Sequence, residues 1–150
     1  MTMHISSNIH YNFNSKDSLF YSIDESGYLL PPLRDISCVK GLNRMVLTDL
    51  SDRLQTLLGD SFVSFYFRGS QLFSERVSDF DTIVVLKEIG NYNSKSISTE
   101  LNGFFSNKYF HINYFDTLVL DKESIKNNRN YQFLIKVLSV HVFGDLLHRE

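Results

Sequence analysis

Phe62-Val63-Ser64-Phe65-Tyr66-Phe67-Arg68-Gly69-Ser70 and, after eight intervening residues, Asp79-Phe80-Asp81-Thr82-Ile83-Val84-Val85-Leu86 decide how this chain is read. Both runs are aromatic and β-branched enough to be buried strands, over 62–67 and 80–86. Side chains two apart on a strand share a face, so Asp79 and Asp81 project together. Adjacent carboxylates repel unless a cation lies between them, and Mg²⁺ takes one or two carboxylates, several waters and phosphate oxygens. The first strand runs into Gly69-Ser70, a turn whose glycine lets backbone N–H groups approach a phosphate and whose serine adds a hydroxyl donor. Arg68 adds charge there or is structural, and Ser78 is a turn residue that orders the Asp79 backbone. Strand, Gly-Ser, a short segment, Ser-Asp-x-Asp and an apolar strand together read as a site for a nucleoside triphosphate and its metal ions.

Arg68-Gly69-Ser70 with Ser78-Asp79-Phe80-Asp81-Thr82 resembles the DNA polymerase beta-like nucleotidyltransferase superfamily, and within it the bacterial stand-alone enzymes, which include aminoglycoside adenylyltransferases and minimal nucleotidyltransferases. The resemblance spans roughly residues 38–147, with a shorter Gly-Ser to Asp spacing than the commonest form and without its second glycine. It implies an α/β (α+β) fold, a small mixed sheet flanked by helices. It also implies ATP or another NTP as substrate, Mg²⁺ or Mn²⁺ held by Asp79 and Asp81, and phosphates cradled by Gly69 and Ser70. Such proteins carry a third carboxylate on a later strand. Here that strand is Tyr109–Phe115, and the spacing points to Asn113 or His111, with Asp116 as substitute if the strand shifts or bulges. The resemblance further implies a helix bearing a lysine and a serine that reach the triphosphate. Lys136 and Ser139 match by position, in a stretch from Asn130 to Leu147 read as one amphipathic helix with Gly144 as its stop.

Upstream, Val39, Leu42, Met45, Val46, Leu50, Leu54, Leu57 and Leu58 recur at helical intervals and stop at Gly59-Asp60, a core helix. Pro31-Pro32 is a break, and it separates an N-terminal arm or hairpin over residues 1–30 from a domain over 31–150. Ile9–Phe13 and Leu19–Ile23 suggest the arm's strands, and His4 and His10 have no partner at metal-ligand spacing. Gly90 to Ser98 reads as an exposed loop.

At 150 residues, 43% hydrophobic, the chain suits one core. A net charge of −2 argues against broad binding to nucleic acid. The lone Cys38 excludes an internal disulfide and suits a cytoplasmic protein, and no apolar run is long enough to span a membrane. The sequence ends soon after Gly144-Asp145-Leu146, where larger relatives continue into a helical domain, so it reads as a minimal form or a fragment. The expectation is an enzyme that moves a nucleoside monophosphate from an NTP to a hydroxyl of a small molecule or protein. The alternative is a catalytically degenerate fold that binds nucleotide or a partner protein, and a third reading is an interaction module whose N-terminal aromatics add a strand to a partner or to a second copy, a homodimer.

Overall fold

The computed structural model describes residues 22–23, 25–26, 29–30, 35–39, 41–68 and 79–147. Gly69, Ser70, Ser78, His4, His10, Pro31, Pro32 and the Ile9–Phe13 stretch lie outside the described residues. In the N-terminal region, β1 (Ser22–Ile23) pairs antiparallel with β2 (Leu29–Leu30).

The helix expected upstream is α1 (Gly41–Leu58). Val46, Leu47, Leu50, Leu54 and Leu58 form its buried stripe, and Gly59 ends it at φ +54°, a conformation glycine adopts without steric cost. Leu42 and Met45, counted in that stripe from sequence, are 47% and 61% exposed. At 100° per residue Met45 faces away from the Leu47–Leu54 line, and Leu42 falls to its side.

Strand β3 (Phe62–Arg68) pairs antiparallel with β4 (Asp79–Leu86), and β4 pairs parallel with β5 (Tyr114–Asp121). The crossover between the parallel strands carries α2 (Ser94–Phe105). After β5 come α3 (Lys122–Asn127), α4 (Arg129–Leu138) and β6 (Ser139–Gly144), which returns antiparallel to β3. The result is a four-stranded mixed sheet in the order β5-β4-β3-β6, the α/β arrangement expected from the sequence.

Helices cover both faces. Phe80, Val84 and Leu86 of β4 join Phe65, Phe67, Phe115 and Val119 in a core closed by α1 and by Ile97, Leu101 and Phe105 of α2. The alternate residues Ile83 and Val85 join Val63, Tyr66 and Leu120 in a smaller core closed by Ile125 of α3 and Ile135 of α4. Rings run through the larger core: Phe67 stacks on Phe80 at 4.5 Å between centroids, and Phe115 lies 5.7 Å from Phe80 and 5.4 Å from Phe105. Each such pair contributes ~1 kcal/mol beyond burial.

Three sequence expectations are corrected. Residues 94–98 open α2 instead of continuing a loop, because Asn93 and Ser96 form a reciprocal capping box. Residues 109–113 are not strand, and β5 starts at Tyr114: Phe110 and His111 form a turn, Tyr109 and Ile112, three apart, both point into the core, and the Ile112 N–H donates to the Tyr109 carbonyl at 3.1 Å. The single terminal helix divides at Leu138. Val140, Val142 and Phe143 prefer the pleated surface beside β3, and the Ser139 hydroxyl donates to the Leu134 carbonyl at 2.8 Å, closing α4.

Candidate functional site at the carboxylate end of the sheet

At the β4 N-terminus, Asp79 and Asp81 share the face that carries Ile83 and Val85 farther along the strand. The ladder sets Asp81 opposite Arg68 on β3 and opposite Asp116 on β5. Arg68 in turn lies opposite Ser139 on β6. One rung of the sheet therefore reads Ser139, Arg68, Asp81, Asp116, with neighbouring strands about 4.8 Å apart. Arg68 shares its face with Tyr66, and Asp116 shares its face with Leu118 and Leu120, so these charged groups stand on the side of the smaller core.

Asp116, and not Asn113, is thus the residue that stands beside Asp81. Asn113 is exposed just before β5, and His111 is half-buried in the preceding turn with its Nε2 lacking a partner. Asp79 and Asp116 are exposed, whereas Asp81 and Arg68 are half-buried. Burial pushes the Asp81 carboxyl above the ordinary aspartate value; Arg68 opposes this, and the charges of Asp116 and Asp79 add to it. Arg68 keeps its Nε buried without a hydrogen-bond partner, a donor held close to the carboxylates.

These donors suit a hard cation. No three carboxylate, imidazole or thiol groups among the described residues form a ready-made cage. Mg²⁺ and Mn²⁺ do not require one, since waters and substrate phosphates supply the remaining oxygens. The charges of Asp116 and Asp79 act on the half-buried Asp81 carboxyl, and a cation bound there would relieve that repulsion.

A second layer holds Asp116. The Thr82 hydroxyl donates to the Asp116 carbonyl at 3.1 Å and shares a buried hydrogen bond with the Thr117 hydroxyl. Along the outer edge of β5, the Ser94 and Ser98 hydroxyls accept from the Val119 and Thr117 N–H groups at 2.9 and 3.0 Å. Asn102 donates to the Phe115 carbonyl and accepts from the Phe115 N–H, both at 2.9 Å. Spaced four apart on α2, these three side chains satisfy an edge that would otherwise be open to another strand. That spacing is visible in the sequence, although its purpose shows only once β5 lies alongside. Asn102→Ala leaves both Phe115 backbone groups unpaired and is expected to cost about 1–3 kcal/mol in urea denaturation; an unchanged midpoint would contradict this account of the edge.

The other two sequence candidates are Ser139, on the same rung as Arg68, and Lys136, three residues before it. Ser139 is buried, with its hydroxyl turned to the last turn of α4. Lys136 lines a cavity of about 670 Å³ whose other lining residues, among them Lys122, Lys126 and Leu147, include none of the aspartates.

No family model and no curated protein matches the chain. Among solved structures, one from Shewanella oneidensis, whose title names no activity, aligns with a TM-score of 0.42 and 17% identity over 67% of this chain and 71% of that one. No helix of the described residues is long and apolar enough to cross a membrane.

Proposed function

We propose that the chain is a nucleotidyltransferase of the DNA polymerase beta-like type, transferring a nucleoside monophosphate from ATP or another NTP to a hydroxyl acceptor and releasing pyrophosphate. The observation that carries this reading is the pairing of Asp81 with Asp116 on one side and Arg68 on the other. A catalytically degenerate relative would be expected to have no acid beside the Asp-x-Asp strand, and Asp116 occupies that rung.

Asp79, Asp81 and Asp116 supply the carboxylates for Mg²⁺ or Mn²⁺, and the ion, when bound, supplies positive charge to the phosphate oxygens. Arg68 carries fixed positive charge toward the same face and neutralises charge that develops on the phosphoryl group in transfer. The acceptor oxygen forms its bond to the α-phosphorus as the bond to the pyrophosphate oxygen breaks. Asp116, exposed at the sheet end, takes up the hydroxyl proton as general base. Gly69 and Ser70, joined directly to Arg68 in the chain, are assigned the phosphate contacts, with Ser78 beside Asp79. No role is assigned to Lys136, which lines a cavity that the aspartates do not, or to Ser139, whose hydroxyl donates to the Leu134 carbonyl. The acceptor is a small molecule or a protein side chain, and the acidic chain does not suit nucleic acid.

The test is calorimetric titration of ATP and GTP with and without Mg²⁺, on the wild type and on the Asp79→Asn, Asp81→Asn double variant. Mg²⁺-dependent binding lost in the double variant is the expected result. Binding that is equal in the two proteins, or that ignores Mg²⁺, would overturn the assignment.

A further inference from the structure

We propose that the cavity between α3, α4 and the residues after β6, which none of the aspartates lines, binds a small organic phosphate. Lys122 follows Asp121, whose ladder partner is Leu86, five rungs along β4 from Asp81. At ~3.3 Å per rung that end of the cavity lies about 17 Å from Asp81, while Lys136, at the other end, is three residues before Ser139 on the Asp81 rung.

The lining has the chemistry of an anion site. Lys122, Lys126 and Lys136 line it with one acid, Glu123, a local excess of positive charge in a chain of net charge −2. The ammonium of Lys122 reaches Asp145 at 3.6 Å, a loose pair with both side chains largely in water, at 49% and 68% exposure. Lys122 and Lys126 are also four apart on α3, a like-charge spacing that costs stability and that a bound anion relieves.

The wall is firm where it counts. Gln132 donates from its amide to the Ile125 and Lys126 carbonyls at 3.0 and 2.9 Å, pinning α4 to the end of α3 and fixing Lys126 relative to Lys136. Ile125 and Leu147 supply an apolar floor, and Leu147 is itself held by its N–H, which donates to the Tyr66 hydroxyl at 3.2 Å. A cavity of about 670 Å³ is within the range that encloses small-molecule ligands, and apolar floor with cationic rim suits an organic group bearing a phosphate. Lysine binds phosphate as a point charge with three donors, so no planar fork is needed.

The experiment uses the full chain and two probes, phenyl phosphate and inorganic phosphate, followed by calorimetry at low and moderate salt. Phenyl phosphate is expected to bind saturably, more tightly than inorganic phosphate, and less tightly as salt rises. Lys126→Gln with Lys136→Gln should weaken it about 10-fold or more, Lys136→Arg should retain binding, and Asp81→Asn should leave it unchanged. Two results would overturn the proposal: no saturable binding of phenyl phosphate by the folded protein, or binding that Asp81→Asn alters and the lysine variants do not, which would place the anion at the carboxylates.

Discussion

Gly144→Ala is expected to lower the stability of the fold by about 2–5 kcal/mol, the sum of left-handed backbone strain and forced overlap. Gly144 has φ +83°, and a Cβ built there meets the Val63 carbonyl oxygen at 2.0 Å and the Val63 carbonyl carbon and Ser64 Cα at 2.9 Å. All three are backbone atoms of β3, held between β4 and β6, so no side chain can swing aside to make room. The same carbonyl already accepts from the Asp145 N–H at 3.1 Å, which fixes the approach. Gly90 supplies the control: it has φ +54° and nothing within 4 Å of an added Cβ, so Gly90→Ala carries the strain alone, about 1 kcal/mol. Urea denaturation of the two variants separates overlap from conformation. A Gly144→Ala loss no larger than that of Gly90→Ala would show that β6 shifts away from β3 at little cost.

Strands β3 and β4 were legible because their patterns are local. Phe80, Thr82, Val84 and Leu86 alternate with Asp81, Ile83 and Val85, and a two-residue period admits one arrangement of faces. Asp79 and Asp81 could be paired from sequence for that reason. Asp116 could not be assigned, since its partnership with Asp81 is set by where β5 begins. That start is decided by Tyr109 and Ile112, whose burial curls the chain into a turn at Phe110 and His111 despite the strand-like alternation of residues 109–113. The division of the last helix was hidden for a related reason: Val137, Leu138, Val140, Val142 and Phe143 satisfy a helical stripe about as well as a strand. The choice fell to the free edge of β3, which needs hydrogen-bond partners that only a strand supplies. The lysine cavity is assembled from two helices and the residues after β6, so its spacing in sequence carries no motif.

Under the proposed function, Asp81→Asn is expected to lower nucleotidyl transfer sharply and, in metal-free buffer, to raise the stability of the protein at neutral pH. Burial raises the Asp81 carboxyl pKa in the folded chain, Arg68 lowers it by a smaller amount, and Asp116 and Asp79 raise it further. An acid whose pKa is higher folded than unfolded binds more protons in the folded state between the two values. Stability therefore falls as pH rises from the unfolded aspartate value near ~3.9 through the raised folded value, and the full penalty is present above it. Asparagine carries no such penalty, so its advantage should be present at pH 7, shrink on acidification and vanish below the unfolded value. The loss of the Arg68 partner works against this gain but is the smaller effect, since burial is the leading cause of the shift. Chemical denaturation at a series of pH values in the presence of a chelator reads the curve, and a variant less stable than wild type at pH 7 would mean that Arg68 and Asp81 hold each other in place more than burial separates them. Activity should move the opposite way, with kcat reduced on the order of 10²–10³-fold or more, the scale of removing one preorganised charged group from a phosphoryl-transfer site. Stability gained and turnover lost in the same substitution is the signature of a carboxylate kept at the cost of folding energy for what it binds, and a purely structural aspartate would lose both.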